Sequence, residues 1–385
     1  MIRGATGRYE TSAAGGETVR AFVPAPLPPQ PDLDLKTLLD PLEKASLALG
    51  SLDSFASLLS DPHIFLFSYV RKEAVLSSQI EGTQSSLSDL FLFELEPKTG
   101  APFDEITEVS NYVAALEHGL RRMREGFPFS NRLIREIHAT LLRSGRGNKQ
   151  APGEFRRSQN WIGGTRPGNA SFVPPPAHAV EECMSRLERF LHFPAAGLSP
   201  ILRSGLAHVQ FETIHPFLDG NGRVGRLLIT LLLCHDGVLR EPLLYPSLYL
   251  KQHRDTYYAL LDEVRRTGDW ERWLTFFLDG VAETATDAVA KAQRMQERFE
   301  EDRARVERSG RAAGSRLRIH QAFRDRPIRD LPGLVRQTEL SFPTVSSAVK
   351  ALERFGVVRE ITGKARDRVF AYEPYLAILN EGTEP

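Results

Sequence analysis

Over most of the chain, apolar side chains recur at intervals of three and four residues, the spacing that lines one face of an α-helix. That rhythm predicts helices over roughly 63–82, 86–94, 105–125, 130–142, 177–191, 201–214, 227–233 and 247–266, and a long one from Asp269 to about Ser309. Upstream, Asp40-Pro41 reads as an N-cap with proline in the first turn, Gly50 as that helix's end, and 52–60 as a second short helix. The rhythm is absent from three places. Residues 1–20 are rich in Gly, Ala and Thr and are expected to be poorly ordered, and 21–31, with five prolines, to run extended across the surface. Residues 154–176 read as two short extended arms, 160–163 and 170–173, around a Pro-Gly turn. Beyond Gly310 and Gly314 the pattern restarts as a helix over 316–324, two short helices opened by Asp330 and Ser341, and two strands, 357–361 and 368–372, around a basic turn. The expected class is mainly α, divided into 1–62, a core over 63–310 and a small unit over 315–385. The charged stretch 287–308 is expected to be a solvated connector.

The most polar interruption of an apolar run is His215-Pro-Phe-Leu-Asp-Gly-Asn-Gly-Arg-Val-Gly-Arg226, between two predicted helices. A turn entering a helix offers unpaired N–H groups and a positive dipole end, which bind phosphate. Gly220 and Gly222 allow close backbone approach, and successive amides at Gly220, Asn221 and Gly222 could form an anion nest. Arg223 and Arg226 lie three apart, so they share a face near the first turn, and two guanidinium forks suit a di- or triphosphate. Asp219 is a hard oxygen ligand for Mg²⁺. His215 is the one side chain in the stretch able to accept a proton near pH 7. Phe217 is expected to point into the core, and Pro216 to stiffen the entry.

This stretch is similar to the signature of the Fic family, His-Pro-Phe-x-(Asp/Glu)-Gly-Asn-(Gly/Lys)-Arg-x-x-Arg, and meets it at every fixed position. The resemblance implies a helical core that transfers AMP from ATP to a Ser, Thr or Tyr hydroxyl of a protein. By matching position, His215 would be the base and Asp219 would hold Mg²⁺. The nucleotide loop would comprise Pro216, Phe217, Leu218 and the backbone of Gly220, Asn221 and Gly222. Arg223 would take the β-phosphate and Arg226 the γ-phosphate. Gly at 222, where kinase-like members carry Lys, favours nucleotidyl transfer. Tyr257 would border the adenine.

The resemblance extends to two further segments. The end of the 63–82 helix, Ser77-Ser-Gln-Ile-Glu-Gly82, fits the inhibitory motif (Ser/Thr)-x-x-x-Glu-(Gly/Asn) found in many Fic proteins. A glutamate at a helix C-terminus is poorly placed for the dipole. Here it implies that Glu81, supported by Ser77 and followed by Gly82, pairs with Arg226 and displaces ATP from a productive pose. The 154–176 interruption resembles the family's flap, in which Ile162, Gly163, Gly164, Phe172 and Val173 would dock the target backbone by strand addition. Removal of AMP, with Glu81 positioning a water, and another nucleotidyl donor remain open at this stage.

Composition changes the picture in one place. The 385-residue chain carries 49 basic and 49 acidic residues, so no global attraction to nucleic acid follows. Residues 311–370, however, hold 13 Lys and Arg against 6 Asp and Glu. Together with its helix–turn–helix and strand pattern, this unit resembles a winged helix-turn-helix. Thr344, Ser346, Ser347 and Lys350 would then face DNA, and 315–372 is the candidate DNA-binding span. Protein interaction or dimerisation is the other use of such a fold, and the whole could be a DNA-binding regulator whose core merely senses nucleotide. Homodimerisation is compatible with the sequence. Cys183 and Cys234 sit in apolar helical contexts, there is no membrane-length apolar run and no signal-peptide pattern, so a cytoplasmic location is expected.

Overall fold

The computed structural model describes residues 1–59, 61–95, 103–193 and 197–384. The first twenty-four residues depart from expectation. They form a hairpin, β1 (Gly7–Ala14) and β2 (Glu17–Pro24), in antiparallel register from Gly7↔Pro24 to Ala14↔Glu17. Gly15 and Gly16 both take positive φ, the geometry a two-residue hairpin loop requires. Ala21, Phe22 and Val23 are buried rather than laid across the surface.

The first helix also differs. α1 (Leu35–Leu58) runs unbroken through Pro41 and Gly50. Its start is set at Asp34, whose carboxylate caps Lys36 N–H and whose own N–H is held by Glu271. That tertiary anchor overrides the local signal at Asp40-Pro41. The expected second helix is the C-terminal half of α1, and its last residue, Ser60, lies outside the described residues.

α2 (Pro62–Ile80), α3 (Leu87–Leu95), α4 (Phe103–Arg124) and α5 (Asn131–Leu141) follow their predicted positions, and the Ser130 hydroxyl caps α5. α6 (Ala177–His192), α7 (Pro200–Ile214) and α8 (Asn221–His235) come next. All of α7 after Pro200 is buried, which places the polar turn beyond it at the centre of the bundle. The stretch 247–266 is two helices, α9 (Ser247–Gln252) and α10 (Arg254–Thr267), broken at His253.

α11 (Trp270–Glu307) is the spine, packed along α1. Its polar half is no solvated connector. Ala288, Lys291, Ala292, Met295, Phe299, Asp302 and Val306 are buried against the C-terminal elements. Those elements are α12 (Ala313–Asp325), β3 (Ile328–Asp330), α13 (Leu331–Thr338), α14 (Phe342–Arg354), β4 (Arg359–Glu360), β5 (Val369–Ala371) and α15 (Glu373–Asn380). Their three strands form one antiparallel sheet in the order β3-β5-β4. β3 and α15 have no counterpart in the sequence reading. No helix among the described residues is long and apolar enough to cross a membrane.

Candidate active site

The turn between α7 and α8 is built from the inside outward. His215 ends α7 in the left-handed conformation (φ 49°), turning the chain back, and Gly220 (φ 78°) turns it again into α8. Phe217, fully buried, stacks on the His138 ring, with centroids 3.7 Å apart and planes 4° apart. His138 in turn accepts from Gly153 N–H at Nδ1 (2.8 Å) and donates from Nε2 to the Asp219 carbonyl (3.0 Å). Burial lowers the His138 pKa to about 4, so it stays neutral as a structural brace. The Asn221 side chain closes the loop on itself, accepting from Phe217 N–H and donating to Phe217 C=O, both at 2.8 Å. Arg156, buried, donates to the carbonyls of His215, Pro175 and Ile214, and its own N–H bonds Pro216 C=O. Arg156, His138 and Asn160, which donates to Phe217 C=O, were not legible in the sequence. They lie dozens of residues away, and only the fold brings them to the turn.

Two side-chain nitrogens of the turn have no hydrogen-bond partner in the protein: His215 Nδ1 and Arg223 Nε, both buried. Burial, with Arg156 and Arg265 nearby, lowers the His215 pKa to about 4, and the ring is the free base at neutral pH. The Arg223 guanidinium lies 3.0 Å from Glu108 on α4 and 3.5 Å from Asp219. Arg146 shares the Glu108 carboxylate at 3.1 Å. Asp219 uses one oxygen on Gly220 N–H. Among the described residues no group of three or more acidic, His or Cys side chains could cage a metal. Asp219 is the one carboxylate the turn itself supplies.

At the other end of the turn, Arg226 Nη2 meets Glu81 Oε1 at 2.6 Å. Its Nε donates to Ser77 Oγ and its Nη2 to Ser77 C=O, both at 2.9 Å. Burial by itself would raise the Glu81 carboxyl, but Arg226 outweighs it and holds the group below its ordinary value. Gly82 (φ 96°) lets the chain leave α2 at once. Gly222 also lies beside Glu81, which the sequence did not reveal. A Cβ there would meet the Glu81 carboxylate, the mobile end of its side chain, which would have to shift to make room.

Tyr257 is a correction. It is 1% exposed, its hydroxyl donates to His208 Nε2 (2.9 Å), and it stacks in the core against His208. The adjacent Tyr258 is 42% exposed.

The expected flap forms a single bridge, Ile162↔Phe172, across a short 3-10 turn at Pro167–Asn169. Gly163 and Gly164 take positive φ in its bend. Its second arm is not free. Phe22 N–H of β2 bonds Val173 C=O at 2.9 Å, and Phe22 packs on Phe172. The hairpin thus backs the flap on one side and leaves the first arm as the open edge.

Two stretches of the chain match known family models. Residues 39–121 match the Fic/DOC family N-terminal domain, and 128–233 match the Fic/DOC family domain. Over 186 residues the chain is 32% identical to protein adenylyltransferase Fic of Drosophila yakuba and 31% identical to that of Drosophila melanogaster. These matches cover 48% of this chain and 34% and 35% of those proteins, so the chain spans about a third of the relatives' length. A Fic family protein from Desulfovibrio desulfuricans G20 shares the fold, with a TM-score of 0.57 at 19% identity over 91% of this chain and 98% of that one. A Fic-domain signaling protein from Bacteroides thetaiotaomicron superposes with a TM-score of 0.52 over 66% of this chain.

Proposed function

Since the chain belongs to the Fic family over residues 39–121 and 128–233, we propose that it is a protein adenylyltransferase, moving AMP from ATP to a Ser, Thr or Tyr hydroxyl, its own included. The observation that carries this reading is the neutral, partly buried imidazole of His215, whose Nδ1 has no protein partner, beside a glycine-paved helix N-terminus with two buried guanidiniums. In the proposed reaction the target oxygen attacks the α-phosphorus while its proton passes to His215. The bond to the β-phosphate oxygen breaks and pyrophosphate leaves. General-base help of this kind is worth roughly 10²–10⁴ in rate. The α8 amides and Arg223 would receive the charge that develops on the phosphates, and Asp219 would hold Mg²⁺, which neutralises the leaving group. The exposed edge of the flap's first arm, from Trp161 to Gly163, would register the target backbone.

Glu81 would inhibit by occupying Arg226, the guanidinium the γ-phosphate needs. The 2.6 Å contact supports this. Incubation with α-labelled ATP and Mg²⁺ tests the assignment. Glu81→Gly should label itself and His215→Ala in that background should not.

A second reading concerns the C-terminal unit alone. The order α12, β3, α13, α14, β4, β5 and its single sheet support a winged helix-turn-helix over 315–385. Ser347 and Lys350 are exposed on α14, and Lys364, Arg366 and Arg368 lie between β4 and β5. These positions fit duplex DNA, with α14 in the major groove and the turn on phosphates. A gel-shift titration of the whole chain, compared with Arg366→Glu/Arg368→Glu at low salt, would test it.

A further inference from the structure

The helix that carries Glu81 has a second face, and the C-terminal segment covers it. Ser68, Lys72 and Gln79 lie along one side of α2, away from Ser77 and Arg226. Each bonds to the segment that follows β5. The Ser68 and Tyr375 hydroxyls are 2.5 Å apart. Lys72, fully buried, donates to the carbonyls of Leu379 (3.0 Å) and Glu381 (2.8 Å). Gln79 donates to Thr383 C=O (2.8 Å) and to Ser85 C=O (3.1 Å). Its oxygen accepts from Lys251 (2.7 Å), which also reaches Glu384 C=O. Arg294 of α11 clamps Glu381 with two bonds, at 2.7 and 2.8 Å. Thr383 is 2% exposed, and a Cβ at Gly382 would strike Leu248 of α9. This stretch of backbone is therefore docked, with its carbonyls taken up by side chains rather than water.

The connection runs in both directions along the chain. Gln79 stands two residues before Glu81 and ties down the 82–85 turn through Ser85. At the other end a single residue, Tyr372, separates β5 from α15, and Tyr372 is itself held by Asp302 (2.7 Å) and by Pro327 C=O. A displacement of β5 therefore has a covalent path to α15, and from the docked segment a hydrogen-bonded path to the last turn of α2.

We propose that residues 375–384 are a strap that locks the Glu81-bearing helix in its inhibitory position, so that the C-terminal unit controls whether Glu81 can leave Arg226. The proposal rests on the transferase reading above. Two states of one element, α2 strapped or loosened, would couple the C-terminal unit to the nucleotide site.

The test compares full-length Lys72→Met, which removes two donors at constant length, and Lys251→Met, a half-buried position that leaves the core intact. Self-labelling from α-labelled ATP should rise about tenfold in Lys72→Met and a few-fold in Lys251→Met, the range expected for loss of one or two hydrogen bonds. Neither substitution should add to Glu81→Gly, because both act through Glu81. Hydrogen–deuterium exchange should quicken across residues 77–85 in both variants. Wild-type labelling together with unchanged exchange in folded Lys251→Met would overturn the strap. If Glu81→Gly itself fails to label, the transferase reading falls, and exchange across 77–85 alone decides the strap: quickened exchange upholds it, unchanged exchange removes it.

Discussion

The two ends of the turn between α7 and α8 are held in opposite ways. At the His215 end, the principal supports are buried: Arg156 on four carbonyls, Asn221 on Phe217, His138 stacked beneath. At the Arg226 end, the principal partner is Glu81, whose side chain is a third exposed and comes from the tip of another helix. The first arrangement has nothing to move; the second has one group that can. The difference teaches that the chemistry would be preassembled and only the counter-charge for the nucleotide withheld. Preorganised groups act without reorganisation cost at the moment of reaction, whereas a withheld charge makes a switch.

The comparison can be broken most sharply at its fixed end. His215→Ala in the Glu81→Gly protein should lower single-turnover labelling by about 10³, within the range for loss of a general base, while ATP affinity by calorimetry stays nearly constant. Because burial lowers His215 to about 4, the ring must gain a proton only as pH falls through that value. Labelling by Glu81→Gly should therefore persist well below pH 6.5, and an acid limb centred at 6.5 would contradict the burial argument.

Next in size is the movable end. Glu81→Gly should raise self-labelling by about ten- to a hundredfold, matching the ~1.5–3 kcal/mol of a charge-assisted hydrogen bond. Arg156→Lys keeps the charge and loses the fork. It should cost about tenfold in the labelling rate with little change in ATP affinity, because the three donors of an ammonium cannot reproduce the planar fork that reaches the carbonyls of His215, Ser158, Pro175 and Ile214. The smallest effect belongs to Ser77→Ala. It removes one bond to Arg226 and leaves the Ser77 carbonyl bond, so labelling should rise only two- to fivefold.

The same contrast governs what was legible in the sequence. The helical core followed from apolar periodicity most clearly in α5 and α6, whose buried residues recur at intervals of three and four. The twelve-residue turn and the Ser77-to-Gly82 helix end were legible because their chemistry is local and contiguous. Three kinds of information were not. The β1–β2 hairpin hid behind small residues, although Gly15-Gly16 between alternating arms was the available signal. α1 ran through Pro41 and Gly50 because Glu271, more than two hundred residues on, fixes its start. Tyr257 and Tyr258 are adjacent, and only the rotation of α10 decides which one is buried. Arg156 and Glu108 carried no local mark, since their meaning lies in partners that the fold supplies.

The most direct measurement is a crystal structure of Glu81→Gly soaked with ATP and Mg²⁺. A preassembled site requires His215, Phe217 and Asn221 to stay within about 0.5 Å of their present positions, with the γ-phosphate on Arg226 where Glu81 had been. A turn that has to rebuild around the nucleotide, or a triphosphate bound away from Arg226, would contradict the account.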